Sequence, residues 1–142
     1  MTFLLDTNVL SASRRPDRQA VEFQEFLQAF EIESAYLSTV TVMEIEFGIE
    51  RERSRNPAFA DDLSMWLTTI VLPAFAERVL PFDLRAATTA GRLPTPDKKP
   101  TADAMIAATA LVNNLVLVTR NVSDFQPLGV PCLNLWSKTS EN

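Results

Sequence analysis

Five short apolar runs, at residues 2–5, 35–38, 79–82, 115–119 and 132–135, most constrain the fold, because each is separated from the next by room for helix or loop. The run 115–119, Leu-Val-Leu-Val-Thr, is the clearest strand, apolar and largely β-branched. Asp17, after Pro16, is placed to cap a helix reaching about Phe30, with Val21, Phe23, Phe26, Leu27 and Phe30 on its apolar side. Thr41 opens a second helix that ends in the charged run 50–55 before Pro57, and a third covers 58–71. Asp83 caps a helix to about Leu93, prolines 94, 96 and 100 enforce a loop, and Thr101 caps a helix over 102–113. Parallel strands need crossover connections of this kind. The expected fold is therefore α/β, a mainly parallel sheet of four to five strands flanked by helices. With 142 residues, 46% hydrophobic and 22% charged, the chain suits one domain over 1–142.

Composition removes several chemistries. There is no histidine, so Ser-His-Asp and Cys-His catalysis and His-ligated zinc are out. The single cysteine, Cys132, cannot close an internal disulfide or supply a thiolate cluster, and is expected to pack near the last strand. Acid–base work falls to carboxylates, lysine, tyrosine or metal-activated water. A net charge of -5 opposes loose binding to a polyanion, so a nucleic-acid substrate requires a local reversal of the field. No apolar run has membrane-spanning length, and Asp6 interrupts the first residues before a signal-peptide core can form. The expectation is a soluble cytoplasmic protein with no membrane role.

In an open α/β sheet, ligands bind beyond the carboxyl ends of the strands. Asp6 ends the first strand, and the starts of the Thr41 and Thr101 helices and Asn121 fall on the same edge. Each has a plain structural reading. Asp6 suits a strand-to-helix turn; Thr41-x-x-Glu44 has the pattern of a capping box; Asp103 sits in a first helical turn, where the dipole favours an acid; Asn121 and Asp124 suit a capped turn. Convergence argues for more. Two carboxylates at about 4 Å repel by about 4 kcal/mol at an effective dielectric of about 20, so one must take a proton or a cation must bind. With oxygen ligands alone, the cation is hard, Mg2+ or Mn2+. Such an ion would also put positive charge where a phosphodiester must sit, and would activate water without histidine.

Four segments together carry a resemblance: Leu5-Asp6-Thr7-Asn8-Val9-Leu10, Thr41-Val42-Met43-Glu44-Ile45-Glu46-Phe47-Gly48, residues 101–110 from Thr101-Ala102-Asp103 onward, and Leu117-Val118-Thr119-Arg120-Asn121-Val122-Ser123-Asp124-Phe125. In order and spacing they resemble a PIN domain of the VapC or FitB toxin type. The resemblance implies a PIN-like three-layer fold and a Mg2+- or Mn2+-dependent endoribonuclease acting as the toxin of a type II toxin–antitoxin pair. It makes Asp6, Glu44 and Asp103 the catalytic, metal-ligating acids. The fourth acidic position of the family falls on Asn121, a neutral and weaker ligand, with Asp124 an outer ligand three residues on. Thr7, Asn8 and Thr119 are implied to hold the acids or their waters by hydrogen bonds.

The same resemblance implies a homodimer, a VapB-like or FitA-like antitoxin whose tail crosses the acidic groove, and DNA contact only through that antitoxin. Met43 and Phe47 form a second apolar face on the Thr41 helix, opposite Val42, Ile45 and Ile49, which calls for burial or a protein contact. Lys98, Lys99 and Arg51 are candidates for RNA phosphates, against a reading as solvated surface charge. Arg14, Arg15 and Arg18 make a further basic patch without an assigned role. Alternatives are a PIN-like binding module without catalysis, a housekeeping RNA-processing nuclease, or a phosphatase using Asp6. The last is disfavoured because position 8 is Asn rather than a second Asp.

Overall fold

The computed structural model describes residues 1–95 and 99–136. Five parallel strands, β1 (Phe3–Leu5), β2 (Ala35–Ser38), β3 (Val79–Leu80), β4 (Val116–Val118) and β5 (Cys132–Leu133), form one sheet in the order β3-β2-β1-β4-β5. Phe3 pairs with Ala35 on one side and Val116 on the other, so β1 is central. The chain runs outward from β1 to β3, then crosses back to lay β4 on the other flank of β1. The strand order therefore reverses between β1 and β4, and a crevice opens there at the carboxyl ends.

Alternation along the strands splits the core into two layers. Leu5, Ala35, Leu37 and Val118 face one layer with Val9, Leu10 and Phe23, while Leu4 and Leu117 face the other with Ile106, Ala107 and Ala110. The first layer is covered by α1 (Thr7–Ala12), α2 (Val21–Ala29), α3 (Thr39–Arg55) and α4 (Pro57–Trp66), followed by a π turn (Leu67–Val71) and α5 (Leu72–Ala74). Pro73 has no N–H for the carbonyl four residues back, which accounts for the widened turn ahead of it. On the second layer α6 (Leu84–Arg92) packs on α7 (Ala102–Val112). The buried alanines of α7, at 104, 107, 108 and 110, let its axis come close to the sheet. Its end is a Schellman motif: Asn114 has φ 55°, and the Leu115 and Asn114 amides return to the Ala110 and Leu111 carbonyls. That stop delivers the chain directly into β4. A short α8 (Val122–Phe125) leads to β5.

The expected layered α/β sheet is present, with all strand pairs parallel, and Cys132 lies half-buried on β5. Asp83 and Thr101 cap α6 and α7 as expected, accepting from the Ala86 and Ala104 amides at 3.0 and 3.1 Å. Two helix starts differ. Asp17 pairs with Arg15 at 3.2 Å in a 3-10 turn, and α2 begins at Val21 after Ala20, which offers no side-chain cap. The helix expected from Thr41 begins at Thr39, capped by Ser38, whose Oγ accepts from the Val40 amide at 3.0 Å. Thr41 is thus inside the helix and fully buried, so Thr41-x-x-Glu44 is no capping box. No helix among the described residues is long and apolar enough to cross a membrane.

Because Ser38 is both the end of β2 and the cap of α3, Ser38→Ala is expected to cost about 1 kcal/mol of folding stability in denaturant titration. A loss within error would show that α3 does not depend on this cap.

Candidate active site

Asp6 follows β1 directly and is the N-cap of α1, its Oδ1 accepting from the Thr7 amide at 2.8 Å. Its Oδ2 accepts from the Thr119 hydroxyl at 2.7 Å, across the β1–β4 reversal, while its amide donates to the Val118 carbonyl at 2.9 Å. Asp6 is only 5% exposed. Burial pushes its pKa up to about 6; the Thr119 and Thr7 bonds act against this, and the charges of Asp103 and Glu44 add to the rise. Asp6 is thus held in its charged geometry by two donors in a place that penalises the charge.

Glu44 projects from α3 toward α1. Its carboxylate accepts from the Thr7 hydroxyl, which also lies 3.1 Å from the Thr41 hydroxyl. Thr7 therefore serves both acids, Asp6 through its amide and Glu44 through its side chain. Asp103, in the first turn of α7, is pushed upward by burial and by the charges of Asp124 and Glu44. Thr119 is completely buried, and its hydroxyl also accepts from the Asn121 amide at 3.0 Å.

Asp6, Thr7, Asn8, Ser11, Glu44, Asp103 and Asn121 line one open cleft of about 380 Å³. Of the residues expected at the site, Asp124 is not part of this lining and acts on it through its charge on Asp103. Asn121 does not cap α8 with its side chain. Arg51 is exposed on α3, its guanidinium 6.0 Å from the Phe47 ring, and Lys99 is exposed; neither lines the cleft. Lys98 lies outside the described residues. Ser11 escaped the reading of the sequence, and Thr41, read there as a helix cap, was not expected beside Thr7. Helical spacing from Thr7 and Asn8 would have found Ser11, had α1 been read as a helix.

Every side-chain donor in the cleft is an oxygen or an amide, a set that suits a hard divalent cation. Asn8 Oδ1 is buried without a hydrogen-bond partner among the described residues, an unsatisfied acceptor in the same lining. No group of three Asp, Glu or Cys side chains among the described residues is placed to hold a metal by itself. That is compatible with Mg2+, which retains several waters and takes one or two carboxylates together with substrate phosphate.

A model of the PIN domain matches residues 3–126. A VapC ribonuclease of Sinorhizobium fredii is 37% identical over 142 residues, covering 94% of this chain and 96% of its own. The toxin FitB of Neisseria gonorrhoeae is 33% identical over 138 residues, with 94% and 97% covered. Among solved structures, FitAB bound to the IR36 DNA fragment contains a chain superposing with a TM-score of 0.81, at 30% identity, covering 99% of this chain and 100% of that one. Motifs, sheet order and relatives agree: this chain belongs to the PIN-domain family.

Proposed function

We propose that the chain is a divalent-metal-dependent endoribonuclease, with Asp6, Glu44 and Asp103 as its catalytic acids. The observation that carries this reading is a buried aspartate, fixed by two donors at the strand-order reversal, in one oxygen-lined cleft with Glu44 and Asp103. The likeness to a VapC ribonuclease over nearly the whole chain supports RNA as the substrate.

Asp6, Glu44 and Asp103 would hold Mg2+ or Mn2+, with Asn121 as a weaker neutral ligand and Asp124 as an outer one. When bound, the ion lowers the pKa of an attacking water and offsets charge on the phosphate. The chain's own residues orient the acids. Thr119 and the Thr7 amide fix both oxygens of Asp6, and the Thr7 hydroxyl aims Glu44. Asn8 would add a buried, unpartnered acceptor to the same lining.

The relatives' names also support the role of toxin in a toxin–antitoxin pair, with an antitoxin of the VapB or FitA type that carries DNA binding. Met43 and Phe47, 55% and 64% exposed on α3, form an apolar face suited to a homodimer contact. Lys98, Lys99 and Arg51 would serve RNA phosphates, Lys99 and Arg51 from outside the cleft lining. A binding module without catalysis is separated from this reading by the cleavage assay below.

The purified chain is expected to cleave single-stranded RNA with Mg2+ or Mn2+ and to stop on EDTA addition. Asp6→Asn, Glu44→Gln and Asp103→Asn are expected to lower cleavage below detection with the fold retained by circular dichroism. Thr119→Val, which removes only a supporting hydroxyl, is expected to cost about 10–100-fold. Undiminished cleavage in the acid variants would overturn the mechanism.

The Asp6 carboxyl also sets a pH dependence in metal-free protein. Below its ordinary value of 3.8, Asp6 carries a proton in both folded and unfolded states; up to about 6 only the folded state keeps it. The folded state binds more protons in that window, so Asp6 lowers stability as pH rises through it, by about 3 kcal/mol in total. Asp6→Asn is expected to be more stable than the parent at pH 7.5 in EDTA, with the difference shrinking below pH 4. Equal melting temperatures at both pH values would refute this charge penalty.

A further inference from the structure

A second groove, of about 390 Å³, opens beside the acid cleft between α1, α3 and α4, and the two share Thr7, Ser11 and Glu44 as a common wall. Its far side is formed by Arg14, Phe59 and Trp66. Arg14, just beyond the end of α1, is half-buried, with its guanidinium 5.3 Å from the Phe59 ring centroid. It makes no ion pair among the described residues, whereas its neighbour Arg15 is paired with Asp17. Of the two acids of the groove, Glu52 is paired with Arg55 at 2.6 Å, while Glu44 accepts from the neutral Thr7 hydroxyl, keeps its charge and also lines the acid cleft, where it is one of the proposed metal ligands. The groove thus holds one cation without an anionic partner, against an aromatic wall, next to the proposed site of phosphodiester cleavage.

We propose that this groove is a subsite for one nucleotide of the RNA strand, adjacent to the scissile phosphate, with Arg14 binding phosphate and Phe59 and Trp66 receiving the base. The proposal rests on the ribonuclease reading for its position and on the groove's own chemistry for its ligand. A nucleotide combines the two features the groove asks for, an anion and a flat π surface. Bases stack on aromatic rings and on guanidinium planes without regard to sequence. In a chain of net charge -5, a half-buried, unpaired arginine beside the acids supplies local attraction for the strand. A peptide would match both features only where an acidic residue stands beside an aromatic or apolar one, whereas every nucleotide of an RNA strand carries both.

The test measures a fluorescent single-stranded RNA by anisotropy, bound to full-length Asp103→Asn protein with Mg2+, as a function of salt. Arg14→Gln is expected to weaken binding about tenfold and to reduce the slope of log K against log salt by about 0.7, the signature of one lost phosphate contact on a single strand. Phe59→Leu is expected to weaken binding about 5–100-fold with the slope unchanged. Arg14→Lys is expected to keep the slope. In the parent background Arg14→Gln raises KM and leaves kcat unchanged.

Unchanged affinity and slope in Arg14→Gln, in protein that melts like its parent, would overturn the subsite. So would a loss confined to binding of the antitoxin protein, which would assign the groove to a peptide. A parent chain that binds RNA but cleaves none with any divalent metal would sink the ribonuclease reading alone, and the anisotropy series would still decide the groove.

Discussion

The hydrogen bond from the Thr119 hydroxyl to Asp6 Oδ2 joins the ends of β1 and β4 where the strand order turns around. With the Asp6 amide bound to the Val118 carbonyl, it closes the sheet edge and places a carboxylate there in one step. The crevice at this reversal follows from topology alone. What makes it chemically distinctive is that the buried residue at its base is an acid rather than an apolar or neutral side chain. Two charged-state donors keep it from settling simply as a neutral carboxyl in the core, while burial and neighbouring acids oppose its ionisation. The protein accepts local instability at the one point where three elements, β1, β4 and α1, are tied together.

The other acids are brought in by elements that have structural reasons to start there. Ser38 caps α3, which leaves Glu44 free of capping duty and able to accept a hydrogen bond from the Thr7 hydroxyl. Thr101 caps α7, which leaves Asp103 with the favourable dipole of a helix start and a cleft to face. Division of labour between a neutral cap and a nearby acid recurs at both helices. Of the three acids Asp6 does both jobs, and among the described residues it alone is both cap and buried acid. The alanine-rich contact face of α7 completes the arrangement by seating Asp103 close to the sheet.

Strands and two of the caps were legible because their signals are local: β-branched runs at 115–119, and Asp83 or Thr101 ahead of an apolar stretch. Asp6 and Asp103 could be placed on one edge because they sit at element boundaries, whereas Glu44, inside α3, was placed there from a helix start read two residues late. Two things were hidden. The six-residue α1 is too short to show helical periodicity, so Ser11 and the role of Asp6 as a helix cap went unread. Thr41 imitates a cap in sequence, but tertiary burial against α1 decides its role, and a hydroxyl three residues before a glutamate reads the same in both cases. The Arg14 groove has no linear signature at all, since its walls come from three helices that meet only in the fold.

Charge explains why such a site needs a neighbourhood and not only a set of acids. A cleft with Asp6, Glu44 and Asp103 on a chain of net charge -5 repels a phosphodiester before any ion is bound, and the exposed ion pairs Arg15–Asp17, Arg53–Glu50 and Arg55–Glu52 spend their cations internally. Cations left unpaired therefore matter out of proportion to their number. Arg120, between two residues of the site, lies 4.6 Å over Trp136, itself stacked on Phe23. Arg14 rests on Phe59 at the end of the adjoining groove. Aromatic faces hold both guanidinium groups without neutralising them, as a second acid would. An acidic protein can in this way keep discrete positive points beside an acidic cleft, where attraction is local and survives the unfavourable field of the whole.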